Sequence, residues 1–202
     1  MARPDQIPPS ERLVTVEDVY ELGLDADEQA HPDVVAMQVR EANTEGEGEI
    51  TLAELVRWAL RMTPDRVIVG EVRGSEVVPM LNAMSQGNDG SMTTIHASSS
   101  RGAMLKLAAY AAQSPEHLTL EDTGLLIAGA IHFVIQLAWD TSGNRCVSSI
   151  REITDADGRQ VASNEVWAPG PDRRAVPSVP VRAATMEELE AAGYRPGPWQ
   201  AP

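Results

Sequence analysis

Cysteine, lysine and aromatic side chains are scarce in this sequence, and no long apolar run is present. Cys146 is the single cysteine among 202 residues. One thiol excludes an internal disulfide and any cysteine-rich zinc or iron–sulfur site, and it predicts a reduced, intracellular chain. Aromatics make up 4% of the sequence and Phe133 is the single phenylalanine, so the core has to be built from aliphatic residues. Residues 1–10 hold no apolar run of the signal-peptide kind. The longest apolar stretch, residues 125–139, is interrupted by Gly129, His132 and Gln136 and is too short to span a bilayer. A soluble chain is expected, with a peripheral membrane role left open. Positive charge is short as well, with 16 basic residues against 30 acidic ones and a formal net charge of −14. Thirteen of the acids and three of the basic residues fall within residues 1–49. Such a surface repels phosphate backbones, so direct contact with nucleic acid is not expected. Fifteen of the basic residues are arginine and Lys106 is the lone lysine, which matters wherever a site demands a lysine.

What is present is a core-forming chain, 43% hydrophobic, of a length that suits one domain or one domain with a tail. Residues 1–11, with three prolines, read as a linker or a truncated end. Residues 13–16 form a short apolar run that ends in Glu17-Asp18, and residues 34–40 alternate as a strand does. Residues 22–33 are acidic and loop-like, and Glu45-Gly46-Glu47-Gly48-Glu49 reads as a solvated loop without the acidic spacing of a calcium-binding loop. Thr51 and Glu54 form a capping box that opens a helix to about Met62, ended by Pro64. Residues 66–70 are a buried strand with Glu71 at its end. A helix is expected over 75–86, a strand over 91–95 with His96 at its tip, and helices over 101–112 and 119–130. Residues 133–138, 146–153 and 161–167 read as antiparallel strands, with turns at Ser142-Gly143 and Asp157-Gly158. Seven of the fourteen prolines lie in the last 35 residues, so residues 168–202 read as a Pro-rich tail with too little apolar surface to fold, apart from a helical turn or two near residues 185–188.

Alternation of strand and helix predicts βαβ units and a mostly parallel sheet flanked by helices. In such sheets ligands bind at the carboxyl ends of the strands. Three strands here end in polar groups: Glu17-Asp18, Glu71 and His96. Carboxylates and an imidazole converging on one sheet edge suit a divalent cation and a phosphate, because one carboxylate can hold the cation and another can orient a water. His132, in an apolar run, reads as a core or edge histidine, and Cys146 as a small apolar residue.

Three segments, Arg12-Leu-Val-Thr-Val-Glu-Asp-Val-Tyr-Glu-Leu22, Thr63-Pro-Asp-Arg-Val-Ile-Val-Gly-Glu-Val-Arg-Gly74 and Gly87-Asn-Asp-Gly-Ser-Met-Thr-Thr-Ile-His-Ala97, resemble the acidic box, Walker B segment and histidine box of the type II/type IV secretion ATPases, in that order. The branch most resembled is that of the Tad/Flp pilus-assembly ATPases. The resemblance covers roughly residues 7–167. It implies a RecA-like P-loop NTPase core over residues 12–167, with ATP and Mg²⁺ as cofactors. It also implies a homo-oligomer, a hexameric ring, that works on the cytoplasmic side of the inner membrane with platform proteins of the pilus or secretion system. By resemblance Glu71 faces Mg²⁺ through water, Glu17 polarises the attacking water with support from Asp18, and His96 senses the γ-phosphate. Arg57 and Arg61 match nucleotide-contacting arginines, often supplied by a neighbouring subunit, with Arg73 and Gly70 beside the nucleotide. The plain alternative for Arg57 and Arg61 is an exposed helix face.

One motif of the family is missing. A phosphate-binding loop requires Gly-x-x-x-x-Gly-Lys followed by Ser or Thr. No such run exists in the sequence, and Lys106 lies in Met104-Leu-Lys-Leu-Ala108, a helical segment. The resemblance therefore implies the C-terminal part of an ATPase core. Three readings follow: an ATPase subunit of a pilus or secretion machine, a truncated homologue that acts as a non-hydrolysing ring module, or a DNA-transfer ATPase of a conjugation system.

Overall fold

Strand β1 (Leu13–Glu17) is buried along its whole length, and the first sheet grows outward from it. In the computed structural model, which describes residues 7–158 and 160–197, β1 pairs in parallel with β2 (Val34–Gln38) on one side and β3 (Arg66–Val69) on the other. A short β4 (Met92–Thr93) completes the parallel order β2-β1-β3-β4. A strand covered on both faces reads as an unbroken apolar run rather than an alternating one, which is the pattern of Leu13-Val14-Thr15-Val16.

Helix α1 (Leu52–Ala59) starts at the expected capping box: Glu54 N–H donates to Thr51 Oγ1 at 3.2 Å, and Thr51 N–H donates to Glu54 Oε2 at 2.9 Å. The donation from Thr51 N–H holds the Glu54 carboxyl below its ordinary range. The α-helix ends at Ala59 and continues to Met62 as a 3₁₀ turn. Thr63, just before Pro64, takes the left-handed φ of 52° and so ends the helical run. Leu52, Leu55, Val56 and Ala59 face the sheet and α2 (Val77–Met84), forming a core with Val14, Val16, Val67, Val69, Met80 and Leu81. The core is aliphatic, as the scarcity of aromatics requires.

Helices α3 (Ser100–Gln113) and α4 (Leu120–Ala130) begin at the Ser99 and Thr119 caps. They lead into an antiparallel sheet of order β5-β6-β7-β8, formed by β5 (Phe133–Trp139), β6 (Arg145–Asp157), β7 (Gln160–Pro169) and β8 (Ala175–Pro177). Asp140 closes the β5–β6 turn. Its carboxylate accepts from the backbone N–H of Asn144 and Ser142 and from Arg174, and the Asn144 bond leads in drawing its pKa down to about 2.

The α/β class with a parallel sheet and C-terminal antiparallel strands is as expected. Three elements differ from the sequence reading. β4 is shorter than residues 91–95, because Ser91 Oγ accepts from Val67 N–H and so leaves the ladder. The acidic residues 22–33 contain a 3₁₀ turn over Leu24–Ala26. The segment from residue 168, read as a tail, carries the end of β7, then β8 and helix α5 (Ala183–Ala191) up to residue 197. It is held by strand pairing and by charge rather than by apolar area. Trp167, Ala168 and Pro169 pair with Pro177, Val176 and Ala175, and Arg182 reaches the fully buried Glu152.

Candidate functional site: the carboxyl edge of the parallel sheet

Parallel strands deliver the polar groups that follow them to one edge. Val16 pairs with Val69, so Glu17 stands beside Gly70 and Asp18 beside Glu71. Gly70 N–H donates to Val16 O, Val72 N–H donates to Thr94 O, and Thr94 Oγ1 donates to Gly70 O. These bonds carry the ladder past the strand ends and bring the loop of His96 alongside.

Side chains alternate across a strand, and this alternation separates the two acids of Glu17-Asp18. Glu17 shares a face with Leu13, and Gly70 shares that face with Ile68. Leu13, Ile68 and Ile7 form a small apolar cluster capped by Leu22 and Leu24. Glu17 is 3% exposed, and its Oε2 accepts from the backbone N–H of Glu21 at 2.8 Å and of Leu22 at 3.0 Å. Its carboxylate therefore holds the loop that follows β1. Gly70 is the close-approach residue for this arrangement, since a Cβ there would lie 3.2 Å from Glu17 Cγ, tighter than most real contacts.

Asp18 and Glu71 belong to the other face, and there they meet Arg73 and His96. Arg73 Nη2 and Nε lie 2.6 and 2.7 Å from Glu71 Oε2. Arg73 Nη1 lies 3.3 Å from Asp18 Oδ2, and His96 Nε2 lies 3.2 Å from Glu71 Oε1. Glu71 is largely shielded, its side chain 18% exposed, whereas that of Arg73 is 66% exposed. The bonds to Glu71, with the charges of Asp18 and Glu21 behind them, raise the Arg73 pKa above its ordinary value. Sequence reasoning missed two participants. Glu76, buried, accepts from the backbone N–H of Arg73 and, at 2.8 Å, of Gly74, which fixes the backbone that carries the arginine. The signal for it was an acid placed just ahead of α2. Lys106 lies on α3 as expected, yet its ammonium donates to His96 O at 2.6 Å. It lines an open depression of about 470 Å³ with His96, Ala97, Ser98 and Gly102.

Arg57 and Arg61 are not part of this edge. Arg57 pairs with Glu116 at 3.1 Å, and the Arg61 guanidinium lies 5.6 Å from the centroid of the exposed Trp58 ring. The carbonyl of Met62, next to Arg61, accepts from Arg12 at the start of the sheet. Four or five strand residues, at about 3.3 Å each, therefore separate Arg61 from the carboxyl ends.

Among the described residues, no three or more His, Cys, Asp or Glu side chains converge as a metal cage. The donor set of the edge, one or two carboxylates beside basic groups, fits a cation such as Mg²⁺. That ion is commonly held by one or two carboxylates together with waters and phosphate oxygens.

Comparison with known proteins agrees with this architecture. A Mycobacterium tuberculosis protein named for conjugal transfer is 38% identical over 162 residues, which are 80% of this chain and 44% of that protein. The type IV secretion system protein VirB11 of Brucella suis is 31% identical over 172 residues, 85% of this chain and 43% of that protein. The crystal structure of the VirB11 ATPase from the Brucella suis type IV secretion system superposes with a TM-score of 0.60 at 29% identity, covering 71% of this chain and 40% of that one. The chain thus spans less than half the length of these relatives. The sequence pattern of the type II/IV secretion system proteins matches residues 3–175, and with the parallel sheet and its charged edge in place the chain belongs to that family.

Proposed function

We propose that this chain is the C-terminal part of a Tad/Flp-type pilus-assembly ATPase, and that the edge of Asp18, Glu71, Arg73 and His96 is the acidic side of its Mg-ATP site. The observation that carries the reading is the convergence of these groups from the ends of three parallel strands: Arg73 and His96 lie against Glu71, and Arg73 reaches on to Asp18. On this reading Glu71 holds Mg²⁺ through water, and Mg²⁺, when bound, neutralises charge on the phosphate oxygens. His96 approaches the γ-phosphate, and Arg73 offers a planar fork to phosphate oxygens. Glu17 acts on the attacking water only if its two backbone donors let go. Held as it is, it shapes the loop beside the site, with Gly70 making room for it. Arg57 and Arg61, exposed on α1 and its 3₁₀ extension away from this edge, suit contact with the nucleotide of a neighbouring subunit in a homo-oligomeric ring, hexameric by family resemblance. Such a ring would work at the cytoplasmic face of the inner membrane against platform proteins.

A second reading, a DNA-transfer ATPase, draws on the mycobacterial relative's name. The net charge of −14 weighs against direct contact with DNA there. Replacing Glu71 by Gln in the cell of origin separates the two. Pilus number should fall about ten- to a hundredfold, in line with loss of a carboxylate that holds the metal ion through water, while the amount of protein stays constant. Normal piliation together with loss of DNA transfer would favour the second reading, and normal performance of both would overturn each.

A further inference from the structure

The carboxylate that should meet a cation is already engaged. Both oxygens of Glu71 are in use, Oε2 by Arg73 and Oε1 by His96. Arg73 also spans to Asp18, so a single guanidinium bridges the two carboxylates of this face. A divalent cation at Glu71 would carry out the same task, and the two positive groups cannot share Oε2.

The hold is also built to be exchanged. Arg73 directs both Nε and Nη2 at the same oxygen, while His96 lies against the other. The fork is thus denied the two-oxygen match that makes arginine pairs strong. The Arg73 side chain is mostly exposed, so it is free to leave, whereas its backbone N–H is fixed by Glu76, so the departure is a side-chain swing and not a loop rearrangement. A phosphate group, with several oxygens, offers the geometry the fork lacks here.

We propose that Arg73 is a resting latch: in the nucleotide-free chain its guanidinium stands in for the divalent cation at Glu71, and it releases Glu71 when phosphate oxygens take it up. This rests on the reading of Glu71 as the cation-facing carboxylate. The latch keeps Glu71 paired, and out of reach of free cations, until nucleotide arrives. It makes cation and nucleotide binding cooperative.

Mn²⁺ is the probe, a hard ion that prefers oxygen ligands and reports itself by electron paramagnetic resonance. The purified chain is titrated without nucleotide, beside Arg73→Gln, Glu71→Gln, the double variant, and Arg145→Gln as a control for net charge on the distant antiparallel sheet. Arg73→Gln should bind Mn²⁺ about tenfold more tightly than the parent, because a positive charge within about 4 Å of the ion is gone. Arg145→Gln should change little, and the double variant should lose the gain. Circular dichroism checks that each variant folds. If Glu71→Gln weakens Mn²⁺ binding but Arg73→Gln does not tighten it, the latch is wrong and the reading of Glu71 stands. If Arg73→Gln tightens binding equally with and without Glu71, the reading of Glu71 fails and the latch fails with it.

Discussion

Given Mg-ATP, the purified chain should release phosphate no faster than solution does. The family hydrolyses nucleotide by cradling the β- and γ-phosphates in backbone N–H groups at a helix N-terminus and by a lysine that reaches them. The sequence contains no Gly-x-x-x-x-Gly-Lys-Ser/Thr run. Its one lysine is on α3 with its ammonium donated to His96 O, at the rim of the edge and not within a glycine-rich loop. Glu71 and Asp18 would still present carboxylates, but an acidic edge without that cradle repels a polyphosphate. Positioning of the reacting groups is worth roughly 7–11 kcal/mol in favourable cases, so its loss takes the rate to background. Malachite-green detection of phosphate over hours tests this. Turnover that disappears in Glu71→Gln would mean that this chain grips phosphate in a way its sequence does not reveal.

The second large effect is on stability, and it comes from the segment that composition marked as a tail. Arg182→Ala should cost about 1–2 kcal/mol of folding free energy, less than the loss of a partner from a fully buried pair, because the Arg182 side chain is about half exposed while Glu152 is buried. Glu152 is 0% exposed in the middle of β6, and Arg182 Nε and N–H approach its two oxygens at 3.0 and 3.2 Å. Arg182 also donates to the carbonyls of Thr154 and Ile153, so it ties the approach to α5 onto the strand. Alanine leaves a carboxylate with no cation beside it. Urea unfolding should show the lower midpoint, and the added change Glu152→Met should recover much of the loss, because the stranded charge is then gone. A midpoint that does not move in Arg182→Ala would show that the Arg182–Glu152 pair adds nothing to the fold.

That segment also shows where the sequence is hard to read. Prolines and small residues argue against a packed element, and they do limit it: β8 has three residues and α5 buries Thr185 alone. What holds it is the pairing of β8 with β7 and long-range ion pairs such as Arg182 with Glu152, and long-range contacts leave no trace in local periodicity. The parallel sheet, by contrast, was legible because its central strands are apolar runs closed by polar residues, Glu17-Asp18 and Glu71, with helices between them. The capping box at Thr51 was legible because both of its partners lie within four residues. The candidate site lies between these cases. That Glu17, Asp18, Glu71 and His96 share an edge follows from parallel strands of similar length. That Glu17 turns inward while Asp18 turns to Glu71 follows from alternation, but only once the register Val16 with Val69 is known. The separation of Arg57 and Arg61 from the edge follows from the direction in which α1 returns, which motif order alone does not reveal. Lys106 escaped attention because its partner is a backbone carbonyl, which no motif records.

The central claim is that the edge of Asp18, Glu71, Arg73 and His96 is where a divalent cation meets this chain. The most direct measurement is a Mn²⁺ titration of the ¹⁵N-labelled chain followed by amide NMR, since the unpaired electrons broaden the signals nearest the ion. The account expects the amides of Asp18, Glu71, Val72 and His96 to broaden first, and Glu71→Gln to abolish that preference. Broadening that begins instead at the acidic loop of Glu45, Glu47 and Glu49, and is indifferent to Glu71→Gln, would contradict it.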